Sequence, residues 1–288
     1  MCIRDSTESV ASISDDAIVE WVNQDNYSAL AGRLDAENFS GWMPDLKNLH
    51  NGAEAFREDG FAKDGSHWVA FNYKPFPSTF WPTNGSTDDV MIRLAEEFRN
   101  TEEGKYSEDV YKANLAIVEA TVKGLKSISS LPVDEANIGT DLNGDGKMSI
   151  VEEITELGDY VGAAKGAFKS KYMYPKGTEF LHTVRYLGFD ENGDITVSKR
   201  MKEVRYMKKW SAINKTAYER GYQLESFAKE AGRLPRYAQV GDWGLDNGYG
   251  WSVQGFIEAK DGELRTATYE ENLFCMGCHT SVGATIDK

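Results

Sequence analysis

The sequence predicts an α+β fold, with a helical N-terminal region followed by antiparallel hairpins. Three observations lead to this prediction. Apolar residues recur at helical spacing from Ser107 to about Leu125. Apolar and polar residues alternate over 180–187 and again over 195–206, which is typical of two paired strands. A last pair of β-like runs, 248–256 and 264–268, carries the chain towards its final segment.

The helices of the first region are predicted from their start signals. Ser14 is an N-cap residue, and two aspartates follow it in the first turn, where the helix dipole favours negative charge. Ser107 opens the strongest helix in the same way, with Glu108 and Asp109 behind it. Residues 24–66 predict short helices and loops, and Ile150 to Tyr160 predicts a further helix.

These patterns divide the chain into four segments. Met1–Ser6 matches the translation of a common transposon sequencing adapter, so we interpret it as a non-native scar. Residues 7–170 form the mainly helical region, which contains a corner of three prolines among three aromatic residues at 74–82. Residues 171–270 form the β-rich hairpin region, and residues 271–288 begin the last segment.

The composition limits the classes of partner. The net charge of −14 disfavours nucleic acid and anionic membranes, because both repel an acidic surface. The 41% of hydrophobic residues suffices for a core, and no stretch is long and apolar enough to predict a membrane span. We find no P-loop, Rossmann glycine pattern or Ser-His-Asp signature.

Residues 141–152 resemble the EF-hand calcium loop at nearly every position. Oxygen atoms are expected at the alternate positions of this loop, and Gly146 supplies its sharp turn. The predicted calcium ligands are Asp141, Asn143, Asp145, the Lys147 carbonyl, Ser149 through water, and both oxygens of Glu152. The stretch before the loop is a poor helix. The turn at 190–194 does not match the calcium-loop pattern, so it is not a partner loop. A single unpaired loop predicts structural Ca²⁺ rather than a cooperative sensor.

The segment Cys275-Met276-Gly277-Cys278-His279 has the C-x-x-C-H pattern of covalent haem attachment. Two thiols three positions apart on one helical turn can each add to a porphyrin vinyl group, and the next residue then lies under the iron. A zinc site would need a second ligand pair, and His50 and His67 are too far apart to supply it. A thioredoxin-like dithiol would need a preceding βαβ pattern, which the hairpin before Phe274 does not provide.

On these five residues the chain resembles a c-type cytochrome. The resemblance implies haem c on Cys275 and Cys278, His279 as the proximal iron ligand, and a periplasmic or otherwise extracytoplasmic location. It also implies that 271–288 is the start of a cytochrome c-like haem segment in a fragment truncated at both ends. His182, on an apolar strand face, is the candidate distal ligand.

The resemblance implies electron transfer, by this chain alone or as the redox part of a larger oxidoreductase, with a redox protein as partner and structural calcium. Two alternatives remain open on the sequence. One is an open-site haem enzyme or gas-binding haem protein, as in peroxidases. The other is a calcium-stabilised binding module attached to a haem domain.

Overall fold

The computed structural model describes residues 13–71, 86–233, 236–280 and 287. Two of the segments predicted from the sequence, Met1–Ser6 and the proline-rich corner at 74–82, lie outside these residues. The described chain combines helices with a mostly antiparallel sheet, so the predicted α+β class is confirmed.

The helices, in chain order, are α1 (Asp15–Val22), α2 (Leu30–Ala36), α3 (Gly52–Ala55), α4 (Glu108–Lys123), α5 (Glu135–Ile138), α6 (Lys215–Glu230) and α7 (Tyr269–Asn272). The strands are β1 (Val69–Phe71), β2 (Ser86–Arg93), β3 (Ile128–Asp134), β4 (Ile150–Ile154), β5 (Glu179–Phe189), β6 (Ile195–Lys209), β7 (Ala238–Gln239), β8 (Leu245–Asp246), β9 (Trp251–Glu258) and β10 (Leu264–Thr266). Short 3-10 turns lie at Glu96–Phe98, Gly162–Ala164, Gly241–Trp243 and Cys275–Gly277.

The strands form two sheets. The larger has the order β1-β2-β5-β6-β9-β8-β7, with β10 paired to β9, and the smaller contains β3 and β4. The register of β9 and β10 is antiparallel, with Arg265 opposite Ile257. The predicted hairpins are therefore present, including the one that turns between Phe189 and Ile195.

The two predicted N-caps are confirmed. The Ser14 hydroxyl accepts a hydrogen bond from the Ala17 N–H at 3.2 Å, and α1 begins at the next residue. The Ser107 hydroxyl accepts one from the Val110 N–H at 3.3 Å. Gly124 directly follows α4, and its φ of 69° lets the chain leave the helix.

Two parts of the prediction are wrong or incomplete. Residues 150–154 form strand β4 and not the start of a helix, because they pair with β3, where Val151 lies opposite Val133. Long-range pairing of this kind overrides local helix preference. The sequence analysis also missed α6, none of whose described residues is buried and whose Leu224 and Phe227 are exposed.

The chain divides into two compact units. Unit 1 contains 1–91, 181–205 and 255–267. Its interior holds two buried arginines. Arg185 pairs with Asp89 at 2.7 Å, and Arg200 pairs with Glu258. Each arginine is neutralised by a carboxylate, as a buried charge requires.

Unit 2 contains 92–180, 206–254 and 268–288. Helix α4 is buried along most of its length, and the fully buried Asn114 fastens it to two loops. The Asn114 amide donates to the Phe98 and Val161 carbonyls, each at 3.0 Å, and its oxygen accepts from the Val161 N–H at 2.9 Å. The loops consequently have partners for backbone groups that would otherwise be buried without one.

Replacing Asn114 with alanine should lower the free energy of unfolding by about 3 kcal/mol, because three buried hydrogen-bonding groups lose their partner. Urea unfolding followed by circular dichroism measures the loss. Glu119→Ala on the same helix is the control and should cost no more than about 0.5 kcal/mol, since Glu119 forms only a half-exposed pair with Lys123. Equal losses for the two variants would contradict the role of Asn114.

Candidate functional site

The C-x-x-C-H segment follows a short, firmly capped helix. The Thr268 hydroxyl accepts from the Glu271 N–H at 3.3 Å, and the Glu271 carboxylate accepts from the Thr268 N–H at 2.8 Å, which together form a capping box on α7. The 3-10 turn Cys275–Gly277 comes directly afterwards. The capped helix thereby fixes the direction in which the chain enters the motif.

Both cysteines lie on this one turn. The Cys278 and His279 N–H groups each donate to the Cys275 carbonyl at 3.1 Å. Both thiol-bearing residues are half-buried, and neither of these two cysteines is in a disulfide. The structure thus brings Cys275, Cys278 and His279 together on one short stretch of backbone, as the spacing predicts.

The middle of the motif is anchored in the core of unit 2. Met276 is only 3% exposed and packs with Leu245 and Val253. Partly buried side chains complete this cluster: Met207, Tyr237, Tyr269, Leu273 and Cys275. Its neighbour Phe274 is 85% exposed, so the turn has one side in the core and the other in solvent.

A buried asparagine holds the end of the motif. The Asn247 amide donates to the His279 carbonyl at 3.0 Å, and its oxygen accepts from the Tyr249 N–H at 2.8 Å and the Trp251 N–H at 3.2 Å. Asn247 therefore ties His279 to the turn between β8 and β9. The sequence analysis missed this residue, which lies 32 positions away and carries no local signal.

A second anchor involves Tyr237. Its carbonyl accepts from the Tyr269 hydroxyl at 3.2 Å, and its own hydroxyl bonds to Thr280, directly after the motif. Burial raises the pKa of the Tyr237 phenol above its ordinary value. This face of the site is thus lined by an uncharged aromatic group.

The predicted calcium loop is a series of side-chain-capped turns. The two oxygens of Asp141 accept from the Gly144 N–H at 2.7 Å and the Gly146 N–H at 2.8 Å. The Asn143 oxygen accepts from the Asp145 N–H at 3.0 Å, and the Asp145 carboxylate from the Lys147 N–H at 2.8 Å. The hydrogen bond from the Gly146 N–H lowers the pKa of Asp141 below its ordinary value.

Glu135 bridges two parts of the loop, and the sequence analysis did not identify this residue. This fully buried carboxylate accepts from the Leu142 N–H at 2.7 Å and the Ser149 N–H at 3.0 Å. It therefore joins the first and last parts of the loop. The sequence signal is weak, because Glu135 stands in the first turn of a helix that has only 4 residues.

The twelfth loop residue departs from the EF-hand arrangement. Glu152 lies on strand β4 and is exposed, whereas an EF-hand places this residue at the start of a helix. A different carboxylate, Glu156, lies beside the loop. Its Oε1 would be 3.1 Å from a Cβ atom added at Gly144. The EF-hand resemblance is therefore wrong here, because strand β4 stands where a helix was predicted to begin at Ile150.

The remaining predicted ligands can also be placed. Lys147 and Ser149 lie on exposed loop backbone. His182 lies on β5 in unit 1, while the C-x-x-C-H segment belongs to unit 2. Within the described part of the chain, no group of three or more His, Cys, Asp or Glu side chains is arranged as a metal-binding cluster. The individual ligand assignments stay predictions.

Replacing Met276 with alanine should lower the free energy of unfolding by about 2 kcal/mol, because it removes a core side chain and leaves a cavity. Phe274→Ala, two residues earlier, should change the free energy by less than about 0.5 kcal/mol, since its side chain is in solvent. Chemical unfolding of the two variants measures both values. A neutral Met276→Ala would mean that the motif is not anchored in the core.

Comparison with known proteins gives a lipoprotein family. The family match covers residues 6–287. A protein of Aquifex aeolicus (strain VF5), named "Uncharacterized lipoprotein", is 36% identical over 295 residues. The alignment covers 97% of this chain and 47% of that relative, so the chain spans about half of the relative's length. No solved structure matches the chain.

These matches correct two predictions from the C-x-x-C-H pattern. The resemblance to a c-type cytochrome is wrong, because the family and the relative are lipoproteins and neither is described as a cytochrome. The electron-transfer function and its two alternatives are overturned by the same matches, and the α+β fold gives no support for a cytochrome c-like segment at 271–288.

Two coarser predictions agree with the matches and the structure. A lipoprotein is held at a membrane outside the cytoplasm, in agreement with an extracytoplasmic location. Over the described residues, no helix combines the length and the apolar character needed to cross a membrane. With the family matching nearly the whole sequence, this chain belongs to that lipoprotein family.

Proposed function

We propose that this chain is the extracytoplasmic domain of a lipoprotein and lies at a membrane surface in the periplasm. We also propose that it carries a prosthetic group on Cys275–His279. The observation that carries the proposal is the anchoring of the motif. Two thiols share one turn, Met276 fixes that turn in the core, and Asn247 fixes the residue after the second thiol. Such support holds a covalently attached group in one orientation.

Haem c is the group that the donor set fits. Two half-buried thiols on one helical turn match attachment to neighbouring vinyl groups, and the imidazole of His279 follows at once. The residues that would hold the group are Cys275, Cys278 and His279, and bound haem would supply an iron atom. The chain contributes the orientation, because Asn247 fixes the backbone at His279. His182 remains a candidate distal ligand on sequence alone.

Calcium is the second proposed cofactor. The turns at Asp141, Asn143 and Asp145 hold three oxygen-bearing side chains on one loop, and buried Glu135 keeps the loop closed. Hard oxygen ligands of this kind suit Ca²⁺. The exposed Glu152 and the nearby Glu156 are the two carboxylates that could complete the set.

The proposed partner is a protein rather than a nucleic acid. The net charge of −14 repels the phosphates of a nucleic acid and suits binding to a basic or neutral protein surface. A redox protein is the partner that a bound haem implies.

Expression with a c-type haem maturation system should give a haem-stained band that survives denaturation, because thioethers are covalent. Cys278→Ala should remove most of the stain by deleting one of the two bonds. The matched control is Phe274→Ala, which changes an exposed neighbour outside the motif and should keep the stain. An unstained wild-type band would rule out haem c.

Added Ca²⁺ should raise the melting temperature of the wild type, since a ligand that binds only the folded state stabilises it by about 2.7 kcal/mol at 100 times its Kd. Asp145→Ala should abolish most of this shift. Asp190→Ala is the control, because Asp190 caps a similar turn, accepting from the Asn192 and Asp194 N–H groups at 2.9 Å, in a loop that fails the calcium pattern.

Glu152→Ala and Glu156→Ala then identify the last carboxylate ligand. The variant that reduces the calcium-induced shift marks the ligand, and the other should behave like the wild type. Identical melting temperatures with calcium and with chelator in the wild type would refute the calcium site.

A further inference from the structure

Unit 2 contains a lysine and an aspartate whose side chains are completely buried against each other. Lys209 is the last residue of β6, and Asp287 lies beyond the C-x-x-C-H segment. The Lys209 Nζ is 2.7 Å from Oδ1 and 2.8 Å from Oδ2 of Asp287, and both side chains are 0% exposed. The amine and the carboxyl group are thus held in contact without water access.

The surroundings of this pair are aromatic. The Lys209 Nζ lies 4.9 Å from the centroid of the Trp251 ring, and the rings of Tyr174 and Phe180 pack on Trp251 at 6.0 Å and 5.7 Å. Polar contacts also reach the pair: the Tyr174 N–H donates to Oδ2 of Asp287 at 2.9 Å, and the Lys209 Nζ donates to the Tyr249 carbonyl at 3.3 Å. An ion pair in such an apolar enclosure loses much of its hydration energy.

We propose that Lys209 and Asp287 react to form an intramolecular amide bond between the lysine Nζ and the aspartate Cγ. This covalent cross-link is a modification that the family match does not indicate.

The enclosure favours the reactive protonation states. Burial lowers the pKa of Lys209 and raises the pKa of Asp287, in each case against the opposing effect of the partner's charge. An uncharged amine is a nucleophile, and a protonated carboxyl group is the acid form that an amine can attack. Burial therefore shifts both groups towards the protonation states that react.

The reaction balances without a further reagent. The Nζ lone pair forms a bond to Cγ, and the negative charge that develops on Oδ2 faces the Tyr174 N–H at 2.9 Å. One amine proton passes to the Oδ1 hydroxyl, the Cγ–Oδ1 bond breaks, and one water molecule leaves. The second amine proton remains on the amide, and nothing is oxidised or reduced.

The cross-link would close a covalent ring from Lys209 to Asp287. The ring includes α6, β7 to β10 and the C-x-x-C-H segment. An unfolded chain with this ring has fewer conformations, as with a disulfide, so the motif would remain attached to β6 even when the fold opens.

Mass spectrometry of the intact, denatured chain tests the bond. The wild type should be lighter than its sequence mass by one water molecule, and peptide mapping should find the peptides of Lys209 and Asp287 joined. Lys209→Arg should have its full sequence mass, because a guanidinium does not attack the acid. Asp287→Asn should lose ammonia in place of water and give the same cross-linked product as the wild type.

The wild-type spectrum decides the matter even if a variant fails to fold. A folded wild-type chain at its full sequence mass, with the two peptides separate, would show that the pair is an ion pair only and would overturn the proposal. A one-water loss that persists in Lys209→Arg would assign the loss to another site and would overturn it as well.

Discussion

Buried backbone groups of loops must find hydrogen-bond partners, and in this protein a few buried side chains supply them. Asn26 bonds to Met201 and Gly262 in unit 1. In unit 2, Asn114 holds the segments at Phe98 and Val161, Glu135 closes the calcium-like loop, and Asn247 holds His279. Each of these four side chains is buried. The positions of both candidate sites depend on this arrangement.

The sequence predicted those elements whose signals are local. Ser14 and Ser107 mark helix starts because a hydroxyl caps the first turn, and the hairpin between β5 and β6 follows from alternation and turn residues. Strand β4 was misjudged, because its apolar residues suit a helix equally well until β3 pairs with it. Helix α6 was missed; it buries none of its described side chains, and its Leu224 and Phe227 are exposed.

The candidate site could be predicted only as a set of residue types. The spacing of Cys275 and Cys278 placed both thiols on one turn, and the structure agrees. The anchors could not be found, since Asn247 acts on a residue 32 positions away, and Glu135 and Glu156 lie outside the twelve-residue loop. The five-residue motif also says nothing of the family, because it covers five positions, whereas family membership depends on the whole chain.

The two spacer positions of the C-x-x-C-H motif differ in a way that bears on how such sequences diverge. A Cβ atom added at Gly277 meets no atom within 4 Å, whereas Met276 fills the core beside Leu245. The first spacer is consequently open to few replacements, all of them apolar and of similar volume, while the second has room for a Cβ atom. Among relatives of this chain, the motif should therefore vary at one spacer and hold its hydrophobic character at the other.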